Sequence, residues 1–220
     1  MNLQKNTERS RNRGNELFPV FLKLANLHTV LVGGGTVGLE KLTALLRNAP
    51  DARVTVVSTK VSEALAEFAA RYPAVHIFER PFKATDLDDA DLVVVATNLA
   101  AVNEQVRSES RSRGLLVNVA DKPELCDFYL GSVVQKGELK IGISTNGKSP
   151  TAARRLKEIL QEALPEELDE VLKNLNAIRN TLSGDFSAKV HKLNEITRIL
   201  IDAEKEDQPD PLLIGGSKNV

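Results

Sequence analysis

His28-Thr29-Val30-Leu31-Val32-Gly33-Gly34-Gly35-Thr36-Val37-Gly38-Leu39-Glu40-Lys41 passes from a β-branched run, through glycines, into a helix-like pattern continued by Leu42, Leu45 and Leu46. Gly33, Gly35 and Gly38 fall at G-x-G-x-x-G spacing. In such a motif the first glycine allows the tight turn, the second lets backbone approach a pyrophosphate, and the third lets helix pack on strand. The uncapped N–H groups and positive dipole end of the helix then face the diphosphate. Glycine spacing alone is weak evidence, and a turn that merely packs a helix has the same signature. Here a second apolar strand at Val54–Val57 completes a βαβ order, which points to a dinucleotide site.

Working outward, Leu17–Leu24 is a short apolar segment expected to pack beside the first strand, Val30–Val32. Helix is expected over Val37–Arg47, then strand at Val54–Val57 and helix at Ser62–Arg71. A short strand follows at Val75–Arg80, an almost wholly apolar one at Leu92–Ala96, a helix at Ala101–Arg113 and a last strand at Leu115–Val119. Alternating strands and helices imply an α/β Rossmann-like fold with a mostly parallel sheet covered on both faces. From Asp121 the pattern changes. Tyr129–Val134 and Leu139–Ser144 read as a β-hairpin. Ser149 and Pro150 supply the N-cap and first position of a helix over Thr151–Ala163. Beyond Pro165, apolar residues at helical spacing (Leu168 to Leu182, then Phe186 to Leu200) describe a helical hairpin. Its two apolar stripes need a covering surface, either the hairpin strands or another subunit.

The expected organisation is therefore a disordered leader (1–15), a Rossmann domain (16–120), a small α+β dimerisation and substrate module (121–164), a helical C-terminal domain (165–204) and a flexible tail (205–220). Net charge is -1, which gives no general reason to expect nucleic acid or an anionic membrane as partner. The lone Cys126 cannot form an internal disulfide, and three histidines (His28, His76, His191) make no zinc cluster, so no metal site is expected. No apolar run approaches the roughly 20 residues of a membrane span, and the polar first residues do not read as a signal peptide. A cytoplasmic protein is expected.

Several positions are candidates for chemistry. The second strand runs into Ser58-Thr59-Lys60 without the carboxylate that commonly grips an NAD ribose, so the residues alone do not choose between NAD and NADP. Ser58 or the backbone at Thr59 would hold the ribose; Lys60 is either a 2′-phosphate contact or an exposed loop lysine. Thr97 and Asn98 end the fourth strand, where they line a cofactor crevice or cap the next helix. Asp121 follows the last strand and is either a general base or a turn residue in Asp-Lys-Pro. The loop Ser144-Thr145-Asn146-Gly147-Lys148-Ser149, with Arg154 and Arg155 behind it, suits an anionic group or is a capped helix with a basic face.

Together these segments resemble the bacterial precorrin-2 dehydrogenase family, the module that also forms the front half of siroheme synthase. The resemblance is carried by Leu17–Phe21, the loop Val32–Lys41 (Gly38 standing where many members have Ala), Val95-Ala96-Thr97-Asn98 with Asn103, and Asn118–Asp121 through Asp127-Phe128 and Ser144–Pro150. It implies oxidation of precorrin-2 to sirohydrochlorin with NAD, with ferrous iron inserted by several members, in a homodimer whose second module is built from both chains. The family's essential aspartate falls on Asp121, and its loop serine on Thr145. The nucleotide-facing positions fall on Gly33, Gly35, Thr36, Val37, Gly38, Ser58 and Thr59, joined by Thr97 and Asn98. Thr145, Asn146, Lys148, Ser149 and Arg154 would meet the acid side chains of the tetrapyrrole, in a cleft between the sheet and the second module. Gly131-Ser132 replaces a Pro-Ser of many members. The chain ends before a methyltransferase domain, so precorrin-2 is expected to come from another enzyme. An alternative of another class is a non-catalytic NAD-sensing module, which would bind nucleotide and turn nothing over.

Overall fold

The computed structural model describes residues 14–166, 168–181, 187, 190–192 and 194. Most of the expected leader, the second helix of the helical hairpin and the C-terminal tail lie outside them. By their contacts the described residues divide into two units, one running to Ser132 and including Gly142–Arg155, the other comprising Val133–Ile141 and the chain from Leu156.

The first unit is built on a five-stranded sheet of order β3-β2-β1-β4-β5, with β1 His28–Gly34, β2 Arg53–Val61, β3 Val75–Glu79, β4 Leu92–Val95 and β5 Leu116–Val119. Every neighbouring pair is parallel, as strands joined by crossover helices require. Helices α1 Thr36–Asn48, α2 Glu63–Ala69 and α3 Ala100–Ser112 make the crossovers. Because side chains alternate across a strand, β1 feeds two cores. Leu31 joins Val54, Val56 and Val94 beneath Leu42, Leu45 and Leu46 of α1 and Leu65 and Phe68 of α2. Val30 and Val32 join Val93, Val95, Val117 and Val119 beneath Val106 of α3 and Leu87.

Two expectations are corrected here. The segment expected to pack beside β1 does so only at Leu24, within a 3₁₀ turn at Leu24–Asn26, whereas Phe18, Val20 and Phe21 stand exposed. Pro19 removes a donor from this stretch, and it forms no helix or strand that would place alternate residues inward. Second, β2 does not stop at Val57. It continues to Val61 across an irregularity in which Val32 pairs with Val57 but Gly34 pairs with Val61. Ser58-Thr59-Lys60 therefore sits in a bulge of the strand rather than in a loop beyond it.

The hairpin strands are β6 Ser132–Lys136 and β7 Leu139–Ile143, joined through Gly137 and Glu138. β6 starts later than the apolar pattern indicates, since Tyr129 and Leu130 belong to the connection from β5, whereas β7 starts at Leu139 as expected. Gly137, at φ 53°, supplies the positive φ that so short a turn needs. Helix α4 (Pro150–Ala163) opens on Ser149, whose Oγ accepts the Ala152 N–H at 3.1 Å. In the second unit α5 (Leu168–Thr181) begins beside the hairpin turn, where Asp169 Oδ1 accepts the Glu138 N–H at 2.8 Å.

Candidate active site

A cleft of about 760 Å³ opens in the first unit at the carboxyl ends of β1, β4 and β5. In an open parallel sheet this is where the strand order reverses and where ligands bind. Gly33–Val37 forms one wall. Gly33 has φ 123°, and a Cβ there would lie 2.4 Å from the Ala96 carbonyl oxygen. A Cβ on Gly38 would lie 2.2 Å from the Gly33 oxygen, so α1 rides closer to β1 than an alanine allows. At Gly35 the reverse holds: a Cβ would meet nothing within 4 Å, so open space borders the backbone. Helix α1 starts there with no side-chain cap, leaving its first-turn N–H groups without the partner an Ser or Asp would supply. Bare backbone donors, a positive helix end and an unobstructed glycine together fit a diphosphate.

The other walls have their own supports. Ser58 Oγ accepts the Gly34 N–H at 3.0 Å and donates to the Lys60 carbonyl at 2.8 Å. Its single hydroxyl hydrogen is used within the bulge, so Ser58 ties β2 to the glycine loop, and both Ser58 and Thr59 line the cleft. Lys60 does not line the cleft. Thr97 does line it, and its Oγ1 accepts the Leu99 N–H at 3.2 Å and donates to buried Asn103 Oδ1 at 2.6 Å. Asn103 returns a bond to the Thr97 carbonyl at 3.2 Å. Thr97 thus braces the turn into α3 rather than capping it, since the N-cap is Leu99 with no side-chain cap bond, and Asn98 lies beside it on the cleft wall.

Asp121 lines the same cleft as the glycine loop, flanked by Ala120 and Lys122. Its backbone is left-handed, at φ 59°. Asp tolerates that region better than most residues, yet it is sparsely populated and persists only where neighbours enforce it.

The basic loop is not part of this cleft: Thr145, Asn146, Lys148, Ser149 and Arg154 are absent from its lining. Asn146 and Gly147 have φ 54° and 72°, and Lys148 N–H bonds Thr145 O at 3.0 Å, giving a tight turn. Thr145 Oγ1 accepts the Ser149 N–H at 3.2 Å and donates to the Ser149 carbonyl at 3.1 Å, so its hydroxyl is spent on the loop itself. Asn15 Nδ2 lies 3.3 Å from both Ser144 O and Ser144 Oγ.

Sequence reasoning missed Pro81 and Phe82, which line the cleft after β3. They are set by Arg80, whose guanidinium grips Asp86 at 2.9 and 2.5 Å. Burial pushes the Asp86 carboxyl up, but the Arg80 bonds and the Lys83 N–H outweigh it and hold it below its ordinary value. The signal was the Arg80-Pro81 step out of a strand, which reads only as a turn. Also missed was Arg107, which pairs with Asp127 at the base of the Asp121 loop.

A family model described as NAD(P)-binding matches residues 20–132, and one described as sirohaem biosynthesis protein, central, matches 136–163. The chain is 35% identical over 150 residues to the siroheme synthase of Methylococcus capsulatus, covering 68% of this chain and 31% of that protein. It is 31% identical over 202 residues to the siroheme synthase of Psychrobacter cryohalolentis, covering 92% and 37%. The chain thus spans about a third of the length of these curated relatives. Among solved structures, SirC, a precorrin-2 dehydrogenase, superposes with a TM-score of 0.67 at 27% identity, covering 82% of this chain and 89% of that one. With a glycine loop, sheet order and cleft that fit a dinucleotide, and a matching model over half its length, the chain belongs to this NAD(P)-binding family, with a sirohaem-biosynthesis segment behind it.

Proposed function

We propose that the chain oxidises precorrin-2 to sirohydrochlorin, with NAD as hydride acceptor, as a step of siroheme biosynthesis. The observation that carries this reading is Asp121, a carboxylate on the wall of the same cleft into which the glycine loop and α1 open. The likeness to a precorrin-2 dehydrogenase and to the front third of siroheme synthases supports it.

In this reading Gly33, Gly35, Thr36 and Val37 hold the diphosphate through backbone N–H groups, and Gly38 keeps α1 close enough for them to converge. Thr59 takes the adenosine ribose, with Ser58 fixing the bulge, and Thr97 and Asn98 lie toward the nicotinamide. Bound NAD supplies the acceptor for the hydride. Asp121 takes the proton that the macrocycle gives up in the same oxidation, as a general base. Asn146, Lys148 and Ser149 of the loop, shaped by Thr145, and Arg154 of α4 would meet the substrate's carboxylates. Residues 16–120 serve as the dinucleotide domain, 121–164 as the substrate and dimerisation module and 165–204 as a helical C-terminal domain, in a cytoplasmic homodimer. Ferrous iron is a second substrate, inserted into sirohydrochlorin. Among the described residues no three His, Cys, Asp or Glu gather as a metal cage, and no helix is long and apolar enough to cross a membrane. The macrocycle nitrogens would then be the ligands of the incoming iron.

The test is direct. Purified chain given precorrin-2 and NAD should form NADH and sirohydrochlorin in equal amounts. Nucleotide binding with no NADH formed would overturn the proposal in favour of a sensor. Sirohydrochlorin and ferrous iron without NAD assay the chelatase step separately, and sedimentation velocity assays the dimer.

A further inference from the structure

The loop carrying Asp121 is closed at its base by contacts that the chemistry above does not use. Val117–Val119 of β5 and Cys126–Phe128 run side by side. Asp127 N–H bonds Val117 O at 2.8 Å, and Asp127 Oδ2 accepts the Val117 N–H at 3.1 Å. Asn118 Nδ2 reaches Phe128 O at 2.8 Å, while Cys126 Sγ accepts the Val119 N–H at 3.2 Å. Residues 120–125 between these fastenings carry Asp121 at its left-handed φ.

One further contact ties this loop to the rest of the site. Arg107 of α3 grips both Asp127 carboxylate oxygens, Nη2 to Oδ1 at 2.9 Å and Nη1 to Oδ2. The first turns of α3 line the cleft through Ala100, Val102, Asn103 and Gln105. A two-pronged guanidinium–carboxylate pair fixes orientation as well as distance. The pair is largely covered, with side-chain exposures of 11% and 29%, and the Arg107 bond holds the Asp127 carboxyl below its ordinary value, so it stays ionised. Neither side chain lines the cleft or belongs to either hydrophobic core.

We propose that Arg107 and Asp127 are positioning residues for the redox step: their pair locks the base of the loop 120–125 to α3 and so aims the Asp121 carboxylate into the cleft. The inference rests on the dehydrogenase reading given above. A left-handed aspartate relaxes when the neighbours that enforce it let go. Leu125 and Cys126 pack against one core and Phe128 against the other, contacts that do not involve the Arg107–Asp127 pair, and the glycine wall belongs to β1 and α1. Loss of the pair therefore separates proton transfer from nucleotide binding.

The experiment uses the full chain with Asp127→Asn and Arg107→Gln. In each variant kcat for NADH formation from precorrin-2 should fall at least tenfold. The number of NAD sites and the Kd for NAD, read by titration, should stay within twofold. Amide exchange should quicken in residues 120–125 and stay unchanged in β1 and β4. Arg107→Lys, which keeps the charge without the fork, should recover part of the loss. In an Asp121→Asn background, adding Asp127→Asn should cost less than a further twofold, because the group being aimed is already gone. A kcat within twofold of the parent, a multiplicative loss in the Asp121→Asn background, or NAD sites lost in step with activity would each overturn the proposal. If the parent chain forms no NADH, the dehydrogenase reading falls instead. Exchange in 120–125 then judges the tether by itself, and unchanged exchange in the variants overturns it. Should Asp127→Asn fail to fold, Arg107→Lys is held to the same exchange and NAD-site criteria.

Discussion

At Gly33 a methyl group would meet the Ala96 carbonyl oxygen at 2.4 Å and its carbon at 2.7 Å, on a backbone already at φ 123°. Both objections act on one residue, so Gly33→Ala should destabilise the fold by about 3 kcal/mol, read from urea unfolding. It should also weaken NAD binding, because the loop cannot keep its path past β4. At Gly38 the obstacle is again one carbonyl, that of Gly33 on β1 at 2.2 Å, but the glycine itself sits in α1 with an ordinary helical backbone. Asp121 presents the chemical counterpart of these steric cases. Asp121→Asn keeps the shape but turns one acceptor oxygen into an amide donor and removes the charge and the basic oxygen. It should lower kcat by about 10²- to 10⁴-fold while the Kd for NAD moves less than twofold. Equal kcat in the variant would remove Asp121 from the chemistry.

Among the elements, α1 carries the most because it both covers the sheet and opens onto the cleft. Leu42 is fully buried against Leu31 and Val56. Leu42→Ala should cost about 2–5 kcal/mol in denaturant unfolding, as a buried leucine truncation leaves a cavity that the sheet cannot close. The connection after β5 responds to pH instead. In Asp127 the Arg107 bond comes first in lowering the carboxyl, and the Val117 N–H adds to it. A carboxyl depressed in the folded state stabilises above its unfolded value, near pH 4, and the contribution disappears as pH falls through the lower folded value. Stability should therefore decline below about pH 4 more steeply in the parent chain than in Asp127→Asn, whose side chain does not titrate. Parallel slopes in urea titrations at graded pH would contradict this.

At the largest scale, the two cores on either face of one parallel sheet make the cleft one end of the first packed unit. A dinucleotide that binds only this folded end must stabilise all of it. At about 100 times its Kd, NAD should raise the unfolding free energy by about 2.7 kcal/mol, visible as a shift of the thermal midpoint. Absence of any shift at saturating NAD would mean that the cleft binds something else.

The α/β class, the parallel alternation and the glycine motif follow from the chain by itself, because they depend on local periodicity and on residues with special backbone freedom. A β-branched run such as Val93-Val94-Val95 favours a strand covered on both faces, which it proves to be, and Gly33, Gly35 and Gly38 declare their spacing without help from elsewhere. Recognition of Asp121 as more than a turn residue needed the resemblance, since Asp-Lys-Pro makes an ordinary turn. Three things waited for the tertiary structure. Ser58 proved to be a brace rather than a free hydroxyl, because its partners, Gly34 and Lys60, are brought together only by strand pairing across a bulge. The Thr145 loop proved to spend its hydroxyl on itself and to stand away from the cleft lining. Arg107 and Asp127 lie 20 residues apart on a helix and a loop, and no periodicity couples them. Local propensity is written residue by residue; the partner of a polar side chain is chosen by how distant elements pack, and only the folded chain makes that choice.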